Sequence, residues 1–174
     1  MTEPVRPVWR DAMTPTNLLQ RTVRVFPDRE AIVHGELRWS WRRFGEEVGR
    51  LAGALERAGV TAGDRVAVLL PNTPIHLAAH FAAPLVTAPL VSINTRLASG
   101  EIEYILRHSG AKVLLVDPEL VVPLDEVLGR CPALEHVIEV ADGSVAARPG
   151  SADYETFAET IARFFEQAVA RPAT

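Results

Sequence analysis

The sequence predicts an α/β fold, a parallel sheet with helices on its faces, preceded by a β-hairpin. Three observations predict it. Between residues 65 and 140 short apolar runs alternate with amphipathic, helix-length segments. The segments joining those runs are long enough for crossovers, which parallel strands require and hairpins do not. The first two strand-prone runs are instead joined by only Gly35-Glu36, a spacing that suits a hairpin. With 174 residues, 48% hydrophobic and 23% charged, the chain has enough apolar side chain for one domain with its own core.

Taken in order, residues 1–15 read as a polar, proline-marked arm. Asn17 can cap a short helix carrying Leu18, Leu19 and Val23, which stops before Pro27. Residues 31–34 and 37–41 form the hairpin. Ser40 is placed to cap the following helix, where Trp41, Phe44, Val48, Leu51 and Leu55 recur at three and four residues and line one face. On a second stripe Gly45, Gly49 and Gly53 would let a neighbour approach closely, and Gly59 ends the helix.

Residues 65–70 are a continuous apolar run of the kind found in strands covered on both faces. Pro71-Asn72 closes it, and Pro74 suits the first turn of a helix that is apolar almost all round and so needs cover. Residues 88–93 form the next strand; Pro89 lacks an amide donor, which places it at a sheet edge or strand start. Ser99 begins a helix with Glu101 and Glu103 early and Arg107 and His108 late, complementing the macrodipole, with Gly110 beyond. A strand over 113–116, a helix over 120–128 and a last strand over 136–140 complete the α/β region, residues 16–140. Residues 141–153 read as a loop, and 154–174 as a terminal helix, with Phe157, Ile161, Phe164, Phe165 and Val169 on its apolar face, followed by a tail.

Composition excludes several classes. A formal charge of −4 gives no basic field for a nucleic acid. The single cysteine, Cys131, forms no internal disulfide, which suits a reducing compartment, and the cytoplasm is the expectation. The first thirteen residues lack the apolar core of a secretory signal, and the most apolar stretch, 75–93, is interrupted by Pro84, Pro89, His76 and His80, so no transmembrane segment is expected.

Several segments agree, in order, with one family. Leu37-Arg38-Trp39-Ser40-Trp41-Arg42-Arg43-Phe44, Pro71-Asn72-Thr73-Pro74, Val91-Ser92-Ile93-Asn94-Thr95-Arg96-Leu97 and Tyr104-Ile105-Leu106-Arg107-His108-Ser109-Gly110-Ala111-Lys112-Val113, then Val116-Asp117, resemble the AMP-dependent, adenylate-forming acyl-CoA synthetases. The resemblance runs from about Asn17 to about Phe157, and residues beyond Tyr154 fit it less well. It covers the N-terminal part of that family's large domain only. The wording around Ala79-His80-Phe81 and Asn94-Thr95-Arg96-Leu97 leans towards the fatty-acyl, medium-chain branch. Thr87-Ala88-Pro89 departs from the family, which usually has glycine where Thr87 stands and no proline at Pro89.

The resemblance implies a fatty acid, ATP and CoA converted to acyl-CoA, AMP and pyrophosphate through an acyl-adenylate, with magnesium on the phosphates. The family's phosphate loop, adenine-contacting segment, ribose-binding Asp, hinge and terminal lysine are not in this sequence. Cradling a triphosphate needs successive backbone amides, glycines for close approach and a cation. Gly143-Ser144 and Gly150-Ser151 are isolated, and the only lysine, Lys112, opens a strand, where it reads as structural. The expectation is therefore an N-terminal fragment, catalytically silent and without cofactors alone, with ATP, Mg and CoA belonging to the complete enzyme. A different class, a non-catalytic interaction module or one chain of a split synthetase, would need a partner chain carrying the rest.

Other candidates are weaker. His76 and His80, four apart, share a helix face and could hold a metal, but no third ligand is in view. Cys131 and His136 could pair as nucleophile and base, though nothing supplies an oxyanion site. Asn94 and Arg96, directly after a strand, lie where α/β folds often bind ligands; a turn-stabilising Asn with a surface ion pair is the plainer alternative. No catalytic, cofactor-binding or metal residue is assigned.

Overall fold

A computed structural model describes residues 13–141 and 152–158. Helix α1 (Pro15–Val25) opens with Pro15, whose missing N–H is tolerated in a first turn. Thr14 is its cap, the hydroxyl accepting the Asn17 N–H at 3.2 Å, as capping requires. Asn17 is therefore not the cap but the residue whose amide is capped, and the helix starts inside the expected arm. Strands β1 (Glu30–His34) and β2 (Leu37–Ser40) pair antiparallel with His34 opposite Leu37. The turn begins at Gly35, whose φ is +55°, a value glycine adopts without steric cost.

The Ser40 hydroxyl caps α2 (Trp41–Arg57), accepting from Arg43 N–H at 3.2 Å. Its expected apolar face is buried: Phe44, Val48, Leu51 and Leu55 are at most 1% exposed. Each such side chain contributes about 1.5–3 kcal/mol of transfer free energy. Gly45, Gly49 and Gly53 are buried as well. Glu47, 1% exposed, would be costly inside a core without partners. Arg43 and Arg50 each place a guanidinium nitrogen 3.0 Å from its carboxylate, and the Tyr154 hydroxyl donates to it. Burial, then the Glu47 charge, push the Tyr154 phenol well above its ordinary range.

Five parallel strands follow: β3 (Arg65–Leu69), β4 (Leu90–Ser92), β5 (Ala111–Val116), β6 (His136–Glu139) and β7 (Ala152–Asp153), in the spatial order β4-β3-β5-β6-β7. β3 and β5, inside the sheet, are the near-continuous apolar runs, while β4, which follows Pro89, is an edge strand as proline requires. The last two residues of the expected 141–153 loop are β7, a strand too short to leave a pattern.

Helices cover both faces. α1, α2 and α3 (Pro74–Leu85) pack on one, around Val66, Val68, Val113 and Leu115. On the other, α4 (Ser99–Ser109) and the segment after β5 pack on Ala67, Leu69, Leu114 and Val116. The alternation of faces along β3 and β5 is the period-2 geometry of a strand sandwiched between layers. The expected 120–128 helix is broken. α5 (Pro118–Val121) passes through a 3₁₀ turn at Val122–Leu124 into α6 (Asp125–Leu128), because Pro123 can neither donate nor continue an α-helix.

Of the terminal helix, α7 (Tyr154–Ala158) is described and the rest lies outside the described residues. The Tyr154–Glu47 bond, an Arg50–Glu155 pair at 3.0 Å and a 3.0 Å bond from the Arg57 guanidinium to the Phe157 carbonyl fasten it to α2.

Candidate functional site at the carboxyl ends of the strands

In parallel α/β sheets ligands bind beyond the carboxyl ends of the strands. Two clefts open there. One, about 450 Å³, lies between the loops after β3 and β4, with Leu70, Pro71 and Asn72 on one side and Ser92, Ile93, Asn94 and Thr95 on the other. The second, about 460 Å³ and mostly apolar, lies between Ile32, Val33 and His34 of the hairpin and Pro74, Leu77, His80 and Phe81 of α3. Asn72 and His76 border both. The cover expected for α3 is thus incomplete: Ala78, Ala79, Ala82 and Ala83 are buried, whereas Leu77 is 45% exposed.

His76 is the hinge of this geometry. Its Nδ1 lies 3.0 Å from the Pro71 carbonyl and its Nε2 3.2 Å from Ser92 Oγ. A carbonyl only accepts, so Nδ1 carries the proton; in the neutral ring Nε2 then accepts from the Ser92 hydroxyl. The ring thereby ties the ends of β3 and β4 together. Burial, opposed by the Pro71 bond and helped by His80, holds its pKa below the ordinary 6.5, as desolvation does to any imidazolium.

His80 lies beside it, ring centroids 5.2 Å apart, with its Nδ1 2.9 Å from the His76 carbonyl. His76 has both nitrogens engaged, so the two rings do not converge on a shared metal position, and the described residues hold no group of three metal-ligating side chains. Asn94 lines the polar cleft, and its side-chain oxygen accepts the Arg96 N–H at 2.9 Å, a turn-stabilising bond. Arg96 is exposed and lines neither cleft. The expected polar pair is therefore only half at the site.

The remaining candidates lie elsewhere. Lys112 is at the opposite end of the sheet, its Nζ donating to Gly59 O at 2.7 Å and pairing with Asp64 and Glu135 at 3.7 and 3.6 Å. Cys131 is buried and donates to Val127 O at 3.5 Å, and burial raises its thiol pKa. That is the reverse of what a thiolate nucleophile needs.

Neither cleft fits magnesium and ATP by itself. No Asp, Glu, Lys or Arg lines either one, so neither the metal nor the triphosphate meets a counter-charge. The N-terminus of α3 is already closed, since Pro74 has no N–H and Thr73 Oγ1 takes that of His76 at 3.3 Å, leaving few of the free amides a helix start normally offers.

The model of the AMP-binding enzyme family matches residues 19–169. The chain belongs to that family. The match continues past Phe157 into the segment that fits the resemblance less well. A peroxisomal butyrate–CoA ligase of Arabidopsis thaliana is 37% identical over 123 residues, 71% of this chain and 22% of that protein. A peroxisomal benzoate–CoA ligase of the same plant is 38% identical over 105 residues, 60% of this chain and 18% of that protein. Among solved structures, an anthranilate CoA ligase in complex with anthranoyl-AMP superposes with a TM-score of 0.74 at 26% identity, covering 83% of this chain and 26% of that one. The chain thus spans about a fifth of the length of the curated relatives it matches.

The sequence reading missed the apolar cleft, Thr73 and the His76–Ser92 tie. The one signal for the cleft was the excess of apolar residues around α3, read there as a demand for cover.

Proposed function

We propose that this chain is the N-terminal portion of an adenylate-forming acid–CoA ligase and that these 174 residues alone do not catalyse. The reading rests on the family match combined with one physical observation: the clefts at the carboxyl ends of the strands carry no charged side chain. The complete reaction would join a carboxylate to the α-phosphorus of ATP, release pyrophosphate, and then pass the acyl group to the CoA thiol with release of AMP. This chain contributes part of the parallel sheet and two cleft walls; ATP, Mg and CoA belong to the remainder. The substrate proposed is a fatty acid of medium length, supported by the wording of residues 79–81 and 94–97. The relatives include butyrate and benzoate ligases, so an assay panel must reach both shorter and aromatic acids.

The test is pyrophosphate release from ATP, magnesium and CoA with acetate, butyrate, octanoate and benzoate. The chain alone should stay at blank. Its co-expression with the downstream segment of the Arabidopsis thaliana butyrate–CoA ligase should give turnover on at least one acid. Turnover by the chain alone would overturn the proposal.

A second reading is a non-catalytic module or one chain of a split synthetase, whose partner carries the rest; the incompletely covered α3 favours it. The cytoplasm is the proposed compartment, on the strength of the lone reduced Cys131. Accumulation of a fluorescent fusion in another organelle would refute that. Among the described residues no helix is long and apolar enough to cross a membrane.

A further inference from the structure

We propose that the outward face of α1 rests on an anionic lipid surface, with its arginines at the phosphates and its apolar side chains at the acyl boundary. The proposal is independent of the ligase reading, and lipid binding rather than turnover is its readout.

Three observations carry it. First, exposed apolar side chains are concentrated there. Among the described residues nine large hydrophobic side chains are exposed, and four of them, Met13, Leu18, Val25 and Phe26, fall within fourteen residues. Such residues scattered singly are ordinary, whereas a cluster marks an interaction surface. Second, helical spacing sets cations among them. Leu19 and Val23 turn inward to the core shared with α2 and α3. At about 3.6 residues per turn, Leu18, Arg21, Arg24 and Val25 therefore face away from it, and all four are exposed. Just beyond the helix, the Arg29 guanidinium lies over the exposed Phe26 ring, 5.1 Å from its centroid. Third, these cations are not neutralised. On the neighbouring hairpin and α2, Arg38, Arg42 and Arg43 pair with Glu30, Asp28 and Glu47. Arg21, Arg24 and Arg29 pair with no carboxylate of the described residues, and α1 itself holds no Asp or Glu.

The charge pattern also selects the occupant. Residues 13–43 carry six arginines against Asp28, Glu30 and Glu36, in a chain whose formal charge is −4. An anionic surface repels such a chain in most orientations and attracts it through this face. Cations beside exposed apolar side chains suit the headgroup boundary, where phosphates and acyl chains lie a few ångströms apart. α1 presents a convex ridge, which a fluid surface accepts without the shape complementarity a protein partner must supply.

The experiment sediments the full chain with vesicles of phosphatidylcholine and phosphatidylserine at about 2:1, and with vesicles of phosphatidylcholine alone. The native chain should bind the first and not the second, and should be released when the salt is raised from about 0.05 to 0.5 M. Each cation near such a surface strengthens binding about fivefold, so Arg21→Glu should weaken it at least about tenfold. Arg96→Glu, the same charge change in the loop after β4, should weaken it by no more than about twofold. Leu18→Gln should weaken it about threefold or more, since half of that side chain is still exposed to be buried. Arg21→Lys, which keeps the charge, should bind like the native chain, and all four variants should melt at the native temperature. No binding by the native chain, equal binding to the two kinds of vesicle, or equal losses in Arg21→Glu and Arg96→Glu would overturn the proposal. So would a Leu18→Gln chain that binds as the native one does, because the contact would then be purely electrostatic. Soluble polyglutamate that binds the chain as tightly as the vesicles do would assign the stripe to an acidic protein and end the lipid proposal.

Discussion

The two ends of the parallel sheet are built differently. At the amino end, where β3 and β5 begin, the loose carbonyls meet a cation. The Arg65 guanidinium donates to Ser109 O and Gly110 O, both at 2.6 Å, and to Gly63 O at 2.8 Å, closing the C-terminus of α4. Lys112 does the same for Gly59 O just after α2. Positive charge there also complements the helix macrodipoles. At the carboxyl ends of β3 and β4 the tie is the neutral His76 ring between Pro71 and Ser92, and beside it stand two open clefts. The amino end is closed by cations; beyond β3 and β4 the two clefts are lined by neutral side chains. Mutations that remove cations should therefore be expensive at the amino end, and polar or apolar changes inexpensive at the carboxyl end.

The largest effect should come from Arg65→Ala. It strips three carbonyls of a charged donor, two of them in partly buried bonds. The cost should be about 2–3 kcal/mol, the scale of hydrogen bonds to a charged group. Urea denaturation measures it, and a loss below about 0.5 kcal/mol, the scale of an ordinary surface change, would erase the distinction between the ends.

Next is Thr87, in the α3–β4 connection on the same side as Gly63, whose N–H it accepts at 3.4 Å. Its φ of +60° lies in the left-handed region. That region strains a β-branched residue by about 1–3 kcal/mol. The resemblance described above implies glycine at this position, and the backbone here has the conformation that glycine adopts freely. Thr87→Gly should stabilise by about 0.5–1 kcal/mol, the relief of strain being partly offset by the greater freedom of glycine in the unfolded chain. A lower denaturation midpoint for the variant would show that Thr87 has contacts that outweigh the strain.

Smaller still are the changes at the carboxyl end. Ser92→Ala removes an exposed donor to His76. It should cost no more than about 0.5 kcal/mol, the low end for a hydrogen bond, because the bond is solvent-exposed. Leu77→Glu, on the surface of α3, should change stability by less than Ser92→Ala does, since surface substitutions away from special features are nearly neutral. Equilibrium unfolding of both beside Arg65→Ala ranks the two ends directly. A Leu77→Glu loss approaching that of Arg65→Ala would mean that α3 is covered more fully than its exposure shows.

The amino end was more legible than the carboxyl end, for a physical reason. Its parts are local: a cap at Ser40, an apolar repeat through Leu55, an apolar run in β3 and the glycine after α4 each leave a pattern a few residues long. Pro89 implied a sheet edge or a strand start, and β4 begins directly after it and lies at the edge. Where local signals competed, the reading slipped. Thr14 and Asn17 are both capping residues, and only the preference of Pro15 for a first helical turn decides between them. Pro123 broke a helix that the apolar spacing alone would have continued. The clefts needed the hairpin to be set against α3, a contact between residues far apart in sequence, which no periodicity reports. Asn94 was found because a polar residue after a strand is a local feature; His76 and His80 read as paired histidines on a packed helix, with a metal the weaker alternative, and they do lie side by side, but the bond to Ser92 joins residues of two separate elements and leaves no local pattern.

The smallest effect is a pH dependence confined to the carboxyl end. Burial depresses the His76 pKa in the fold below the ordinary 6.5, and the nearby His80 adds to this when charged. The unfolded chain then binds the proton more readily than the folded one, so stability rises with pH across this window. The contribution is complete above about pH 6.5 and is lost as the pH falls from there through the folded pKa. Asp64, Glu103 and Asp153 have pKa values lowered from already acidic ones. Their losses therefore come at lower pH and do not enter between about pH 7.5 and 5. His76→Gln keeps hydrogen-bonding capacity and does not titrate. Its urea midpoint should therefore fall less than that of the native chain between about pH 7.5 and 5, even if it starts lower. Parallel declines would mean that the ring is as well solvated in the fold as in the unfolded chain, and that the tie between Pro71 and Ser92 is looser than its two short bonds indicate.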